Sequence, residues 1–101
     1  MGRSVAILKL GGSVITYKDL PLTPNVRAIR NIAKAIPRDV VGRLVVVHGG
    51  GSFGHWAVKT YSLSSEDPFE RAANFSVIRW AMESLNNVIT KLLIEAGLPA
   101  A

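Results

Sequence analysis

Two short apolar segments of the chain each run directly into consecutive glycines. Residues 4–10 end at Gly11 and Gly12, and residues 44–47, which are rich in β-branched side chains, are followed by His48 and three glycines. Short apolar runs bounded by turn residues are typical of strands buried on both faces, as in a parallel sheet. The sequence therefore predicts two such strands, with a glycine turn at the carboxyl end of each.

Helical periodicity fills most of the remaining chain. Thr23 and Pro24 predict a helix start, with Thr23 as the N-cap and Pro24 at the first helical position, and Pro37 predicts the end. A short helix is expected over about residues 53–61 and, after a polar loop, a long helix over about residues 70–96. The long helix carries one apolar stripe, which comprises Phe75, Ile78, Met82, Leu85, Ile89, Leu92 and Ala96.

The resulting order, β-α-β-α-α, is typical of an α/β fold. Ligands of such folds gather beyond the carboxyl ends of the parallel strands. Both glycine turns are therefore expected at one ligand-binding edge of the sheet.

Composition narrows the classes of partner. The 101 residues are enough for one small domain, and the absence of cysteine excludes a disulfide framework and a cysteine-ligated zinc site. The net charge of +5 favours an anionic partner, but the basic residues are scattered, which disfavours nucleic acid. No apolar window approaches the length of a membrane span. We expect a cytoplasmic protein with neither a nucleic-acid nor a membrane partner.

The first glycine turn carries groups that suit a polyphosphate. Lys9 ends a strand, Gly11 and Gly12 allow the backbone N–H groups to approach an anion closely, and Ser13 adds a hydroxyl donor. Lys18 follows, where its ammonium group can swing over a transferring phosphoryl group. The alternative interpretation, a tight turn with two solvated lysines, stays open from these residues alone.

The second glycine turn reads His-Gly-Gly-Gly-Ser-Phe-Gly-His over residues 48–55. We expect a helix N-terminus here to face a negative charge, with His55 in the first helical turn as a donor to a phosphate oxygen. An ordinary surface histidine is the alternative, and His48 is interpreted as structural. The dinucleotide fingerprint fits poorly, because no acidic residue ends a following strand, and the Walker pattern fails at His55 and Trp56.

In combination, the Lys-x-Gly-Gly-Ser turn, Lys18 and the segment ending at His55 resemble the start of the amino-acid kinase superfamily. Its isopentenyl phosphate kinases are the most similar branch, and a fosfomycin-phosphorylating branch is also similar. The resemblance covers about residues 5–98. It implies a parallel-sheet, three-layer α/β sandwich of amino-acid kinase type, of which residues 1–101 form the N-terminal substrate- and phosphate-binding part, incomplete at the C-terminus.

The resemblance also implies roles for individual residues. Lys18 stabilises the transferring phosphoryl group, Gly50 and Gly51 bind the phosphorylated substrate through the backbone, Gly51 also lies against the ATP phosphates, and His55 hydrogen-bonds the substrate phosphate. Five consecutive residues contact the β- and γ-phosphates of ATP, namely Lys9, Leu10, Gly11, Gly12 and Ser13. None of these residues is expected to ligate a metal.

The implied reaction converts ATP and isopentenyl phosphate into ADP and isopentenyl diphosphate, with Mg²⁺ as a cofactor. A homodimer is expected, with the long helix at the dimer interface, at a pocket for the isoprenoid tail, or simply in the core. Members of the superfamily are longer, so we expect an N-terminal fragment with little kinase activity alone. The alternatives are a carboxylate kinase such as an acylglutamate kinase, a non-catalytic phosphate-binding module and a basic nucleic-acid-binding domain.

Overall fold

The computed structural model describes residues 4–101, so the first three residues of the predicted domain lie outside the described part. The elements are β1 (Ala6–Leu10), α1 (Gly12–Ile15), α2 (Val26–Ala35), a 3₁₀-helix (Arg38–Arg43), β2 (Leu44–His48), α3 (Gly51–Thr60) and α4 (Pro68–Glu95). The two strands are parallel and in register from Ala6 opposite Leu44 to Leu10 opposite His48. The predicted α/β fold with a parallel sheet is confirmed, and α1 and the 3₁₀-helix are additions to the predicted order.

Only one face of the two-stranded sheet is covered within residues 4–101. Leu10 is buried at 4% exposure, whereas Ile7 on the other face is 71% exposed. Val45 and Val47 lie on the same face as Ile7 and are also exposed. The prediction that both faces of each strand are buried is therefore wrong for the described residues, because the helices pack on one side of the sheet.

The core lies between that covered face and the apolar sides of α2 and α4. Ile29 and Ala33 of α2 are buried, as are Leu85 and Ile89 of α4. Burying one such large aliphatic side chain contributes about 1.5–3 kcal/mol. The helical periodicity predicted for α2 and for the second half of α4 is confirmed by this burial.

The first half of α4 extends past the core. The helix has 28 residues, which corresponds to about 42 Å of helix. Phe69, Phe75 and Trp80 in its first half are 81%, 54% and 54% exposed. Phe75, predicted as a member of the apolar stripe, is therefore outside the core. None of the helices in residues 4–101 combines the length and the hydropathy that a membrane span requires.

The start of α2 differs from the sequence prediction. Asn25, not Thr23, is the N-cap, and its side-chain oxygen accepts a hydrogen bond from the Ala28 N–H at 3.1 Å. Pro24 lies before the helix because it forms an isolated antiparallel bridge with Thr16. The predicted end is confirmed, since α2 stops at Ala35, just before Pro37.

Candidate active site

The two glycine turns meet at the carboxyl edge of the sheet, as predicted. The Gly49 N–H donates to the Leu10 carbonyl at 2.9 Å and so continues the pairing of β1 with β2 beyond the last strand residues. A Cβ atom added to Gly12 would lie 2.3 Å from the Gly51 nitrogen. The turns therefore pack backbone against backbone, with no room for a side chain between them.

This packing alone, with no ligand present, explains why glycine is needed at two of these positions. Gly51 has a φ of +49°, and a Cβ atom there would lie 2.1 Å from the Thr16 hydroxyl oxygen. Gly11 differs, because a Cβ atom there would meet only Val14, at 3.9 Å. Gly12 and Gly51 are thus required by contact between the turns, and Gly11 faces open space.

Several backbone donors at this edge have no partner within residues 4–101. The N–H groups of Phe53 and Gly54 both donate to the Gly50 carbonyl at 3.0 Å. The N–H groups of Ser13, Gly50 and Gly51 find no acceptor in the part of the chain that the structure describes. Backbone donors exposed at a helix N-terminus favour an anion, because the helix dipole adds a partial positive charge there.

Beside the turns, Lys18 and His55 line one cleft of about 330 Å³. Lys18 comes from the loop after α1, and His55 comes from α3. The complete lining is Lys18, Asp19, Pro21, Ser52, His55, Trp56, Lys59 and Thr60. The lining includes two lysines, so the cleft presents positive charge beside the unpaired backbone donors.

The position of His55 on α3 differs from the prediction. The helix begins at Gly51 rather than near residue 53, and its N-cap is Gly50. His55 is therefore in the second helical turn, not the first. Its side chain is exposed at the cleft, one helical turn before Lys59, and residues four apart share one face of a helix.

Lys9 lies apart from that cleft. In β1 it pairs with Val47 of β2 and projects from the open face of the sheet, with Ile7 on the same side. Its side chain is exposed and is absent from the cleft lining. The structure thus brings Lys18 and His55 together and leaves Lys9 at the same edge of the sheet but on its other side.

Carboxylates are sparse at this edge. Asp19 is the one acidic residue in the cleft lining, and within residues 4–101 no three His, Cys, Asp or Glu side chains converge as metal ligands would. Mg²⁺ in kinases keeps several oxygen ligands from substrate phosphates and water. These residues fit a magnesium ion held mainly by phosphate oxygens, not one held in a cage of protein ligands.

A family model for the amino acid kinase family matches residues 4–101. The chain belongs to the amino acid kinase family. Among its relatives is the isopentenyl phosphate kinase of Thermoplasma acidophilum, 37% identical over 92 residues, which covers 91% of this chain and 37% of that relative. The isopentenyl phosphate kinase of Haloferax volcanii is 42% identical over 98 residues, covering 96% of this chain and 40% of the relative.

Solved structures of the amino acid kinase family agree with this fold. The product complex of T. acidophilum isopentenyl phosphate kinase superposes with a TM-score of 0.75 at 38% identity, covering 93% of this chain and 40% of that one. A substrate complex of an isopentenyl phosphate kinase gives a TM-score of 0.76 at 37% identity, covering 94% and 40%. The predicted family and fold are confirmed, and the chain spans about two fifths of the length of these relatives.

Sequence reasoning missed the polar residues that hold the two turns of the candidate site together. Thr16 and Ser52 are 2% and 3% exposed and hydrogen-bond to each other across the two turns. Asn86 of α4 donates to Nε2 of His48, whose Nδ1 lies 2.9 Å from the Gly49 carbonyl. With Nδ1 as the donor and Nε2 as the acceptor, the ring satisfies both contacts and so joins the end of β2 to α4. The sequence indicates only that β2 ends in a polar residue, His48. Nothing in it identifies Asn86 of α4 as the partner of that side chain.

Proposed function

We propose that this chain supplies the phosphate-binding part of a kinase that transfers the γ-phosphoryl group of ATP to isopentenyl phosphate, giving isopentenyl diphosphate. The observation that carries the proposal is that Lys18 and His55 line one cleft, with the unpaired backbone N–H groups of the glycine turns at the same edge of the sheet. The names of the relatives supply the acceptor, since each of the four is an isopentenyl phosphate kinase.

The proposed chemistry needs no general base. An oxygen of the acceptor phosphate is already anionic, so it attacks the γ-phosphorus directly. The new P–O bond forms as the bond from the γ-phosphorus to the β,γ-bridging oxygen breaks, and ADP leaves with that electron pair. Catalysis then rests on positioning and on neutralising charge, which backbone donors and cationic side chains can provide.

Each residue in the proposal has one task. Lys9, Leu10, Gly11, Gly12 and Ser13 form the turn that receives the β- and γ-phosphates of ATP. Gly50 and Gly51 present backbone N–H groups, Gly51 to both substrates and Gly50 to the acceptor phosphate. His55 donates to that phosphate, and Lys18 neutralises the transferring group. Mg²⁺, bound mainly by the ATP phosphates, would screen their negative charge.

We also propose a cytoplasmic homodimer that acts in isoprenoid biosynthesis by a mevalonate-type route. Phe69, Phe75 and Trp80 are exposed in the first half of α4, and aromatic side chains are enriched at protein–protein interfaces, which supports self-association through this helix. Sedimentation of the protein at several concentrations tests this assembly. A species that stays monomeric throughout would contradict it.

The activity test compares acceptors in the product of the complete reading frame. With magnesium and ATP present, ADP release should require isopentenyl phosphate and should be negligible with acetylglutamate, fosfomycin or unphosphorylated isopentenol. ADP release with acetylglutamate or fosfomycin instead would assign the protein to another branch. No release with any acceptor would indicate a non-catalytic phosphate-binding module.

Replacing His55 by Ala tests acceptor selection. A hydrogen bond to a charged group contributes about 1.5–3 kcal/mol, so kcat/KM for isopentenyl phosphate should fall about 10- to 100-fold. Val58→Ala is the matched control, because Val58 is exposed on the same helix and is absent from the cleft lining. An unchanged kcat/KM in His55→Ala would remove the case for a phosphate acceptor at this histidine.

A further inference from the structure

The loop that carries Lys18 is fastened to α3 at both of its ends. At its start, the Thr16 hydroxyl oxygen accepts a hydrogen bond from the Ser52 N–H at 3.0 Å. At its end, the Thr23 N–H donates to the Ser52 hydroxyl oxygen at 3.4 Å. The two ends also meet each other, since the Tyr17 N–H donates to the Thr23 carbonyl at 3.0 Å. One residue of α3 therefore holds both stems of the loop.

Thr16 links this loop to the first glycine turn as well. Its hydroxyl donates to the Gly12 carbonyl at 2.6 Å while accepting from Ser52. The side chain is 2% exposed and is absent from the cleft lining, so it is shielded from a ligand in the cleft. A hydroxyl has one donor and can accept simultaneously, and both capacities are used here. A single buried group therefore fixes the first turn, the Lys18 loop and α3 relative to one another.

We propose that Thr16 is a positioning residue for phosphoryl transfer, acting through its hydrogen bond to Ser52. It sets the loop of Lys18 against the helix of His55, so that the ammonium group and the imidazole reach one substrate from two sides. This inference rests on the proposed function. Errors of about 1 Å in such a constellation can lower a rate about 100-fold. Because the task proposed for Lys18 belongs to the transition state, a displaced loop lowers kcat more than it raises KM.

The test compares Thr16→Val and Thr16→Ala with Thr16→Ser in the product of the complete reading frame. Both Thr16→Val and Thr16→Ala remove the hydroxyl. Val keeps the branched shape of Thr, whereas Ala avoids placing a methyl group against the Gly12 carbonyl. Thr16→Ser keeps the hydroxyl. Removing the hydroxyl leaves the buried Ser52 N–H without its acceptor, which costs the free energy of desolvating that donor. We expect the Lys18 loop to shift as a result, so that kcat falls at least about tenfold in Thr16→Val and Thr16→Ala. KM values for ATP and acceptor should change by less than about threefold, and Ser should restore most of the rate.

Ser76→Ala is the matched control. The Ser76 hydroxyl also donates to the carbonyl four residues earlier, at 3.0 Å, but it is exposed on α4. It should leave kcat unchanged. Wild-type kcat in Thr16→Ala, equal losses in Thr16→Ser, or a loss confined to KM would overturn the proposal. So would failure of both hydroxyl-free variants to fold, because Thr16 would then act on stability alone.

A second readout does not depend on activity. Amide hydrogen exchange at Ser52 should be slow in the wild type and Thr16→Ser, and at least about tenfold faster in Thr16→Ala, whose Ser52 N–H has lost its acceptor. If the wild type makes no isopentenyl diphosphate, the proposed function fails, and this exchange pattern still tests the contact by itself. Equal exchange in all variants would overturn the positioning role.

Discussion

Replacing Gly51 by Ala should destabilise the protein by about 2–5 kcal/mol. Its φ of +49° lies in the left-handed region, where a residue with a Cβ atom loses about 1–2 kcal/mol. The new Cβ atom would also lie 2.1 Å from the Thr16 hydroxyl oxygen and 2.4 Å from the Gly12 carbonyl oxygen. Relieving such overpacking costs roughly a further 1–3 kcal/mol, because the Gly12 carbonyl belongs to the backbone and cannot rotate away as a side chain can.

Thermal unfolding measures this loss directly. A domain of this size loses about 4–8 °C of Tm for each 1 kcal/mol, so the Gly51→Ala variant should melt at least about 8 °C lower. Gly42→Ala is the control, since a Cβ atom there meets nothing within 4 Å, and its Tm should be close to that of the wild type. If both variants melted like the wild type, the close contact between the two glycine turns would be refuted.

Two further substitutions separate ligand binding from folding. Gly11→Ala places a Cβ atom 3.9 Å from Val14 in otherwise open space, so the free energy of unfolding should change by less than about 1 kcal/mol. Because the new methyl group would occupy space proposed for an ATP phosphate, kcat/KM for ATP should nevertheless fall at least about tenfold. Unchanged kinetics would show that no phosphate approaches this side of the turn. Asn25→Ala removes the N-cap of α2 and should cost about 1 kcal/mol in urea unfolding. Asn25→Asp, which keeps a capping oxygen, should cost less, and equal losses would contradict the capping role.

Local sequence signals predicted the elements well where periodicity alone determines them. The alternation that buries Ile29 and Ala33 on α2 is visible in the sequence, as is the stop before Pro37. The N-cap of α2 is harder to predict, because two starts are chemically suitable. One is Thr23 followed by Pro24, and the other is Asn25. The choice depends on Pro24 pairing with Thr16, a tertiary contact that no local pattern encodes.

The candidate site was predictable in its composition and not in its geometry. The glycine turns and the chemistry of Lys18 and His55 could be interpreted from residue types. The reason for Gly12 and Gly51 could not, since it is the mutual contact of two segments about 40 residues apart. The same limit applies to Thr16, whose hydrogen bond from the Ser52 N–H joins residues 36 positions apart. The prediction that both faces of the strands are buried is wrong for residues 4–101, because the helices of this part of the chain cover only one face of the sheet.

The most direct test of the central claim is mass spectrometry of the products formed from ATP, magnesium and isopentenyl phosphate by the product of the complete reading frame. We expect isopentenyl diphosphate and ADP in equal amounts, with both strongly reduced in His55→Ala and in Lys18→Ala. Lys34→Ala, which removes an exposed lysine from α2, should leave the yield unchanged. ADP without isopentenyl diphosphate, or full product formation in both site variants, would contradict the assignment of this cleft to phosphoryl transfer between phosphates.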